Sequence, residues 1–216
     1  MIVVTDLIGT LTTGSPIRGL VSWVKHNQSE TRANLFMASV MPSFFLATLG
    51  LMNWQKWSQN LMINALPLIR EATKEKIRQM ANWTVERKLW PDRREDVLAR
   101  ITQQVADGAQ VYIVSSVYEP TVEAFAARLG VQAIGTPIKI VKGRARFADK
   151  LVTNERKVEQ VLSRVGVDRV DVAYGDTWND IPLLEHADRP VAVYPDERLK
   201  AIALERSWEI IGDRGT

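Results

Sequence analysis

Two apolar runs in this chain end on a carboxylate set among turn-forming residues, and they stand near its opposite ends. Residues 2–4 run into Asp6-Leu7-Ile8-Gly9-Thr10-Leu11-Thr12, and residues 170–174 run into Gly175-Asp176-Thr177-Trp178-Asn179-Asp180. A buried parallel strand delivers an acid to the carboxyl edge of a sheet in this way. Either run alone reads most simply as a turn signal. The pair, with Ser115 and Lys157 between them, points to a shared site.

The second half of the sequence alternates strand and helix signals. Residues 111–114 form a strand pattern that ends at Ser115-Ser116, and a helix over 120–129 stops at Gly130. A strand at 131–134 precedes two runs, 139–141 and 144–147, that flank Lys142-Gly143 as a hairpin. A helix over 154–165 places Val158, Val161, Leu162 and Val165 at helical spacing and stops at Gly166. Strands at 170–174 and 191–193 enclose a helix over 181–186. This alternation predicts an α/β fold: a doubly wound parallel sheet with a Rossmann-like core.

The first strand, at 2–5, is separated from the next at 111 by far more chain than a crossover needs. The intervening segment therefore reads as an insertion. Residues 73–88 hold few helix breakers, and within 92–106 Val97, Ile101 and Val105 share a face. The expected organisation is a catalytic core of 1–14 and 91–216 with an all-helical cap of 15–90. Inside the cap, 33–55 carries no charged residue. It approaches the length of a bilayer span, about 20 residues, but Asn34, Ser39, Pro42, Ser43, Gly50 and Asn53 argue against one. Two readings stay open: a buried helical hairpin, or an apolar lid that admits a greasy substrate or rests on a membrane surface.

Composition narrows the function classes. With 46% hydrophobic and 25% charged residues the chain has the make-up of an ordinary globular protein. The net charge is +3, and bases are mixed with acids, as in Pro91-Asp92-Arg93-Arg94-Glu95-Asp96. Such runs read as solvated helix faces, so nucleic acid is not expected as a partner. Cysteine is absent, which removes disulfides and thiolate chemistry, and His26 and His186 are too isolated for a histidine zinc site. No signal peptide is apparent at the N-terminus, and a cytoplasmic location is expected.

The acids at the strand ends suit phosphorus chemistry. Asp6 is placed to attack phosphorus and form an aspartyl-phosphate, splitting one hard displacement into two. A carboxylate facing a phosphate dianion needs a cation between them, and Asp176 and Asp180 complete an oxygen-rich Mg²⁺ site with Asp6. The order and spacing of residues 6–12, Ser115, Lys157 and 175–180 resemble the four motifs of the haloacid dehalogenase-like (HAD) hydrolase superfamily. The closest similarity is to its phosphoserine phosphatase-like branch, which carries a helical cap between the first two motifs. The resemblance implies a backbone metal ligand at Ile8, orientation of Asp6 by Thr10, phosphoryl binding by Ser115 and Ser116, and charge neutralisation by Lys157. Each residue has an ordinary alternative: Ser115 as a cap or turn residue, Lys157 as a solvated side chain, Asp176 and Asp180 as helix caps.

Ile8 departs from the pattern of the phosphatases in this superfamily, which place there a second aspartate to protonate the leaving alcohol and activate water. Isoleucine has no proton to give, and such assistance is worth about 10²–10⁴ in rate. Four explanations stand: a good leaving group such as an acyl or aryl phosphate, a proton from a cap residue or water, carbon–phosphorus or carbon–halogen cleavage, or a non-catalytic descendant that binds a phosphorylated ligand. The acidic pair favours a Mg²⁺-dependent phosphomonoesterase, with a ligand-binding or nearly inactive relative as the alternative. The expected substrate is small and phosphorylated, with an apolar portion suited to 33–55, and peripheral membrane contact is compatible with it.

Overall fold

The computed structural model describes residues 1–214. Its strands are β1 (Ile2–Thr5), β2 (Gln110–Tyr118), β3 (Gln132–Thr136), β4 (Ile138–Val141), β5 (Arg144–Phe147), β6 (Val170–Gly175), β7 (Ala187–Val193) and β8 (Glu209–Ile211). Six of them make one sheet in the order β3-β2-β1-β6-β7-β8. Every pairing in it is parallel. The doubly wound α/β core expected from the sequence is the observed fold.

Both faces of the sheet are buried, and the two-residue period of the strands decides which side chain serves which face. Val3, Ile113, Val172, Tyr174, Val191 and Val193 point to one face. There they meet α5 (Glu95–Ala106) through Val97 and Ile101, and α6 (Glu119–Ala126) through Val122 and Phe125. Val4, Tyr112, Val114, Ala173 and Ala192 point to the other. That side is covered by α7 (Glu155–Val165), α8 (Ile181–Glu185) and α9 (Glu197–Glu205), contributing Val161, Leu183 and Leu199. The tail elements α9 and β8 carry no sequence signal strong enough to have been expected. Strand β2 also runs on through Ser115 and Ser116 to Tyr118, because Val117 and Tyr118 continue the buried run.

Between β1 and β2 the chain is helical: α1 (Pro16–Asn27), α2 (Glu30–Thr48), α3 (Trp54–Ala65), a 3₁₀ turn at Leu66–Leu68, α4 (Lys74–Thr84) and a π turn at Val85–Leu89. The starts are set by side-chain caps, with Ser15, Ser29, Asn53 and Thr73 each accepting a hydrogen bond from the backbone N–H three residues on. The β4–β5 hairpin, in its expected place, leans on this insertion: Gly143 O accepts from Ala72 N at 2.9 Å.

Residues 33–55 do form most of a helical hairpin, but not a buried one. On α2 only Ala33 and Ala47 are fully buried, while Leu35, Met41, Phe45 and Leu46 face solvent, as do Leu49, Leu51 and Met52 in the connection to α3. The expectation of a buried hairpin is therefore corrected. An inward stripe of small and half-buried residues suffices to seat α2, and the outward stripe of the same apolar helix has nothing above it. No helix among the described residues is long and apolar enough to cross a membrane.

The insertion and the sheet share one hydrophobic cluster, joined where Trp90 meets Phe125 with ring centroids 5.4 Å apart. Phe125 is fully buried. Phe125→Ala is expected to destabilise the fold by about 3–5 kcal/mol. Urea unfolding should show this as a lower midpoint with an unchanged slope, because the loss is of packing and not of compactness.

Candidate functional site

Connections leave β1 towards β2 and β3 on one side, while β6, β7 and β8 lie on the other, so the winding reverses beside β1. Such a reversal opens a crevice at the carboxyl ends of the strands. Asp6 follows β1 directly, and its backbone N–H donates to Tyr174 O of β6 at 3.0 Å. Asp176 follows β6, and Asp180 ends a 3₁₀ turn at Trp178–Asp180. Residues 169 positions or more apart in sequence are thus brought together by sheet pairing alone.

Glycines let these loops close. Gly9 has φ +95°, and a Cβ there would lie 1.9 Å from Asp176 Oδ2. At Gly175 a Cβ would lie 2.4 Å from Asp180 Cβ. Any side chain at either position would push the acids apart. Thr12 ties the first loop to the end of the insertion by donating to Leu89 O at 2.6 Å.

Asp6, Asp176 and Asp180 are all at least 95% buried, and one oxygen from each lies within 4.8 Å of the others. Lys157, in the first turn of α7 and equally buried, donates from Nζ to Asp6 Oδ1 at 2.5 Å and to Asp180 Oδ1 at 2.6 Å. The second oxygen of Asp180 accepts from the backbone N–H groups of Asp176 and Thr177, both at 3.2 Å. Thr10, buried behind the acids, is 3.5 Å from Asp6 Oδ2 and 3.3 Å from Asp176 Oδ1 through its hydroxyl. Arg214 holds the remaining Asp176 oxygen and also donates to Asp176 O at 3.0 Å.

Burial governs the protonation of this cluster. It pushes Asp6 up to about 6 against the opposing pull of Lys157, while the charge of Asp180 adds to the rise. Burial and then the neighbouring Asp180 and Asp6 raise Asp176 well above the carboxylate range. Burial works against the charge on Lys157, yet Asp180 and Asp6 outweigh it and its pKa is raised. The lysine is a fixed cation.

These groups line a cleft of about 690 Å³ together with Ile8, Ser115 and Ser116. Ser115 lies inside β2 and is buried, with its Oγ accepting from Val117 N at 3.4 Å; it is neither a helix cap nor a turn residue. Lys157 is likewise not a solvated lysine. The opposite wall comes from the start of α3: Asn53, Trp54, Gln55, Ser58 and Gln59.

Two arginines in the cleft had no distinct sequence signal. Arg94 belongs to the mixed-charge run read as a solvated face, yet its Nε donates to Gly9 O at 2.8 Å and its guanidinium lies 3.7 Å from the Tyr194 ring centroid. Arg214 sits far from any motif in sequence. Asp196, also on the cleft, accepts from Trp178 N at 3.0 Å and caps α9 by accepting from Leu199 N.

The three acids fit a divalent cation by the chemistry of their donors. They are hard oxygens, nearly shut off from water, and burial together with their mutual repulsion makes two of them resist ionisation. Asn179 Oδ1, also buried on the cleft, lacks a hydrogen-bond partner.

Comparison with known proteins agrees with the fold. A phosphoserine phosphatase of Mycobacterium tuberculosis, SerB1, is 34% identical over 131 residues, which cover 57% of this chain and 41% of that one. The chain thus spans about two fifths of the length of this curated relative. A protein of unknown function from Bordetella pertussis Tohama I superposes with a TM-score of 0.73 at 19% identity, covering 98% of this chain and 97% of that one. A substrate-bound phosphoserine phosphatase superposes at 0.60 with 18% identity, covering 99% and 93%. The sequence pattern of the haloacid dehalogenase-like hydrolases matches residues 3–185, from the first strand through the acids that follow β6, and the chain belongs to that family.

Proposed function

We propose that this chain is a Mg²⁺-dependent phosphomonoesterase in which Asp6 is the nucleophile. The observation that carries the reading is the meeting of three buried carboxylates with the buried ammonium of Lys157 at the point where the sheet winding reverses. In this reading 15–90 act as a cap over a core of 1–14 and 91–216.

The roles follow from position. Asp6, Asp176, Asp180 and the backbone carbonyl of Ile8 would hold Mg²⁺. When bound, the ion screens the repulsion between the Asp6 carboxylate and the phosphate dianion. Thr10 orients Asp6, Ser115 and Ser116 donate to phosphoryl oxygens, and Lys157 offsets charge on the nucleophile and the phosphoryl group. An Asp6 oxygen bonds to phosphorus as the bond to the leaving oxygen breaks. The leaving group takes its proton from solvent. Water then attacks the aspartyl-phosphate, giving inorganic phosphate, returning Asp6 and releasing a proton to solvent.

Ile8 sets the substrate range. Without an acid at that position, the leaving group must depart unaided, which favours acyl or aryl phosphates. The cleft wall from α3 is uncharged, so it has nothing to pair with the ammonium and carboxylate of a phospho-amino acid. A small phosphorylated compound suits it better, with an apolar portion against Trp54. The cysteine-free composition suits a cytoplasmic setting. Ile8 also supports a second reading, a ligand-binding relative that does not turn over.

With Mg²⁺, the protein is expected to hydrolyse nitrophenyl phosphate, and Asp6→Asn should lower the rate by about a thousandfold or more. Equal rates for the two would leave only the ligand-binding reading. Ile8→Asp should raise kcat on alkyl phosphates by about a hundredfold, the value of general-acid help.

The buried acids also predict how stability responds to pH. Folding raises Asp6 from 3.8 to about 6, so the folded state binds the extra proton and the metal-free protein loses stability as pH rises across that window. Asp6→Asn lacks this loss. Its stability relative to wild type should therefore grow between about pH 4 and pH 6, by on the order of 3 kcal/mol. Thermal melts in chelator measure it, and Mg²⁺ should raise the wild-type Tm more than that of the variant.

A further inference from the structure

A helix that is apolar all round belongs in a core or against a non-aqueous partner. From Leu35 onward, helix α2 carries no charge and has apolar side chains on every side. Its inward stripe, Ala33, Phe36, Val40, Phe44 and Ala47, is buried or half-buried, while its outward stripe, Leu35, Ala38, Pro42, Phe45 and Leu49, is exposed along about 20 Å of helix. The exposed surface does not end with the helix. It continues through Leu51 and Met52 to Trp54, with Leu49 and Leu51 each 71% exposed.

We propose that this face is a docking surface for an anionic lipid bilayer, so that the cleft works on phosphorylated compounds held at the membrane. This rests on the phosphatase reading for its substrate but not for its contact. Charge selects the occupant. From residue 31 to residue 70 there is no acid, while Arg32, Lys56 and Arg70 supply three bases, and Lys56 and Arg70 are exposed. A surface without acids meets anionic headgroups favourably, whereas two copies of it pressed together would set like charges against each other.

The side chains suit an interface between water and hydrocarbon. The hairpin is held by its own aromatic contacts: Trp57 Nε1 donates to Ser43 Oγ at 3.0 Å, and the Phe44 ring lies 5.7 Å from Trp57 and 6.1 Å from Trp54. The apolar outer side chains are thus free to enter lipid without unpacking the hairpin. Ser39, Ser43 and Thr48 return their hydroxyls to α2 carbonyls, which removes their need for water. Pro42 and these polar groups keep the helix in the interface and not across the bilayer. Apolar insertion and basic attraction are the two signals that stable peripheral binding needs.

The same hairpin reaches the chemistry. Trp54 is half-exposed on this face and also lines the cleft, as does Asn53 before it. An apolar chain resting in the bilayer would leave it past Trp54, with its phosphate at Asp6. Trp54 is the apolar side chain that the α3 wall offers it, beside the amides and hydroxyl of Asn53, Gln55, Ser58 and Gln59.

Co-sedimentation with vesicles tests the contact directly. Wild-type protein is expected to pellet with vesicles of equal parts phosphatidylglycerol and phosphatidylcholine, and much less with phosphatidylcholine alone or in high salt. Leu49→Glu combined with Leu51→Glu should lower the bound fraction about tenfold or more while leaving the thermal melt and nitrophenyl phosphate hydrolysis unchanged. Lys56→Glu should weaken binding to the anionic vesicles alone. Wild-type protein that stays in the supernatant overturns the proposal, as does a double variant that binds equally well. So does a wild-type dimer in light scattering that the double variant converts to a monomer, which would make the face a contact between copies. Binding is read without turnover: a chain that binds vesicles but cleaves nothing sinks the phosphatase reading alone.

Discussion

The ammonium of Lys157 between Asp6 and Asp180 is the contact on which the site depends. Three carboxylates out of water within 4.8 Å repel one another strongly, and the effective dielectric around them is low. One buried lysine cannot balance them. Burial first, and then the neighbouring carboxylates, push Asp6 and Asp176 up, and Arg214 reaches to the Asp176 carboxylate. A buried ion pair of this kind is poor evidence of added stability, because removing charges from water costs about as much as pairing returns. It is better understood as a cation-hungry site maintained at the expense of the fold.

Holding that site fixes much of the architecture. Asp6 and Asp176 must leave adjacent parallel strands at the same edge, which the β1–β6 pairing ensures. Lys157 must arrive from the opposite layer, so α7 is pinned by Val158 and Val161 to the face formed by Val4 and Ala173. The loops must pass within a van der Waals radius of the acids, so Gly9 and Gly175 leave no room for a side chain. Arg94, just ahead of α5, then clamps the Gly9 carbonyl. Sheet, helix and loop requirements all converge on the same few oxygens.

That convergence explains what could be read from the sequence. Strand β1, the helix α7 with its stop at Gly166, and the β6 edge were legible because a two-residue or 3.6-residue period and a glycine stop are local signals. The acids and Lys157 were legible as a set because their order along the chain matches the order of strands and helices that must deliver them. Arg94 and Arg214 were not, since a base amid mixed charges looks the same whether it points to water or to a carbonyl across the cleft. The burial of 33–55 was misjudged for a related reason. Periodicity shows where apolar residues fall on a helix, but α2 has them on every side, and only its packing against α1 and α3 reveals which side is left open.

The two places where this chain departs from local expectation line the same cleft. In the proposed reading Ile8 puts an apolar side chain where general-acid chemistry would want a proton, and Trp54 brings the apolar hairpin to the same cavity. The core side, by contrast, is dense with charge: Lys157, Arg94, Arg214 and four aspartates line it. A ligand that satisfies both sides has an anionic head and an uncharged body. Electrostatics would fix the head at the ends of β1 and β6, and the body would be selected by what it need not desolvate. In the phosphatase reading, an apolar side chain at Ile8 is tolerable when the body leaves as a stable anion, as it does from an acyl or aryl phosphate. Charged groups at the sheet edge and uncharged ones on the inserted helices thereby face the same crevice.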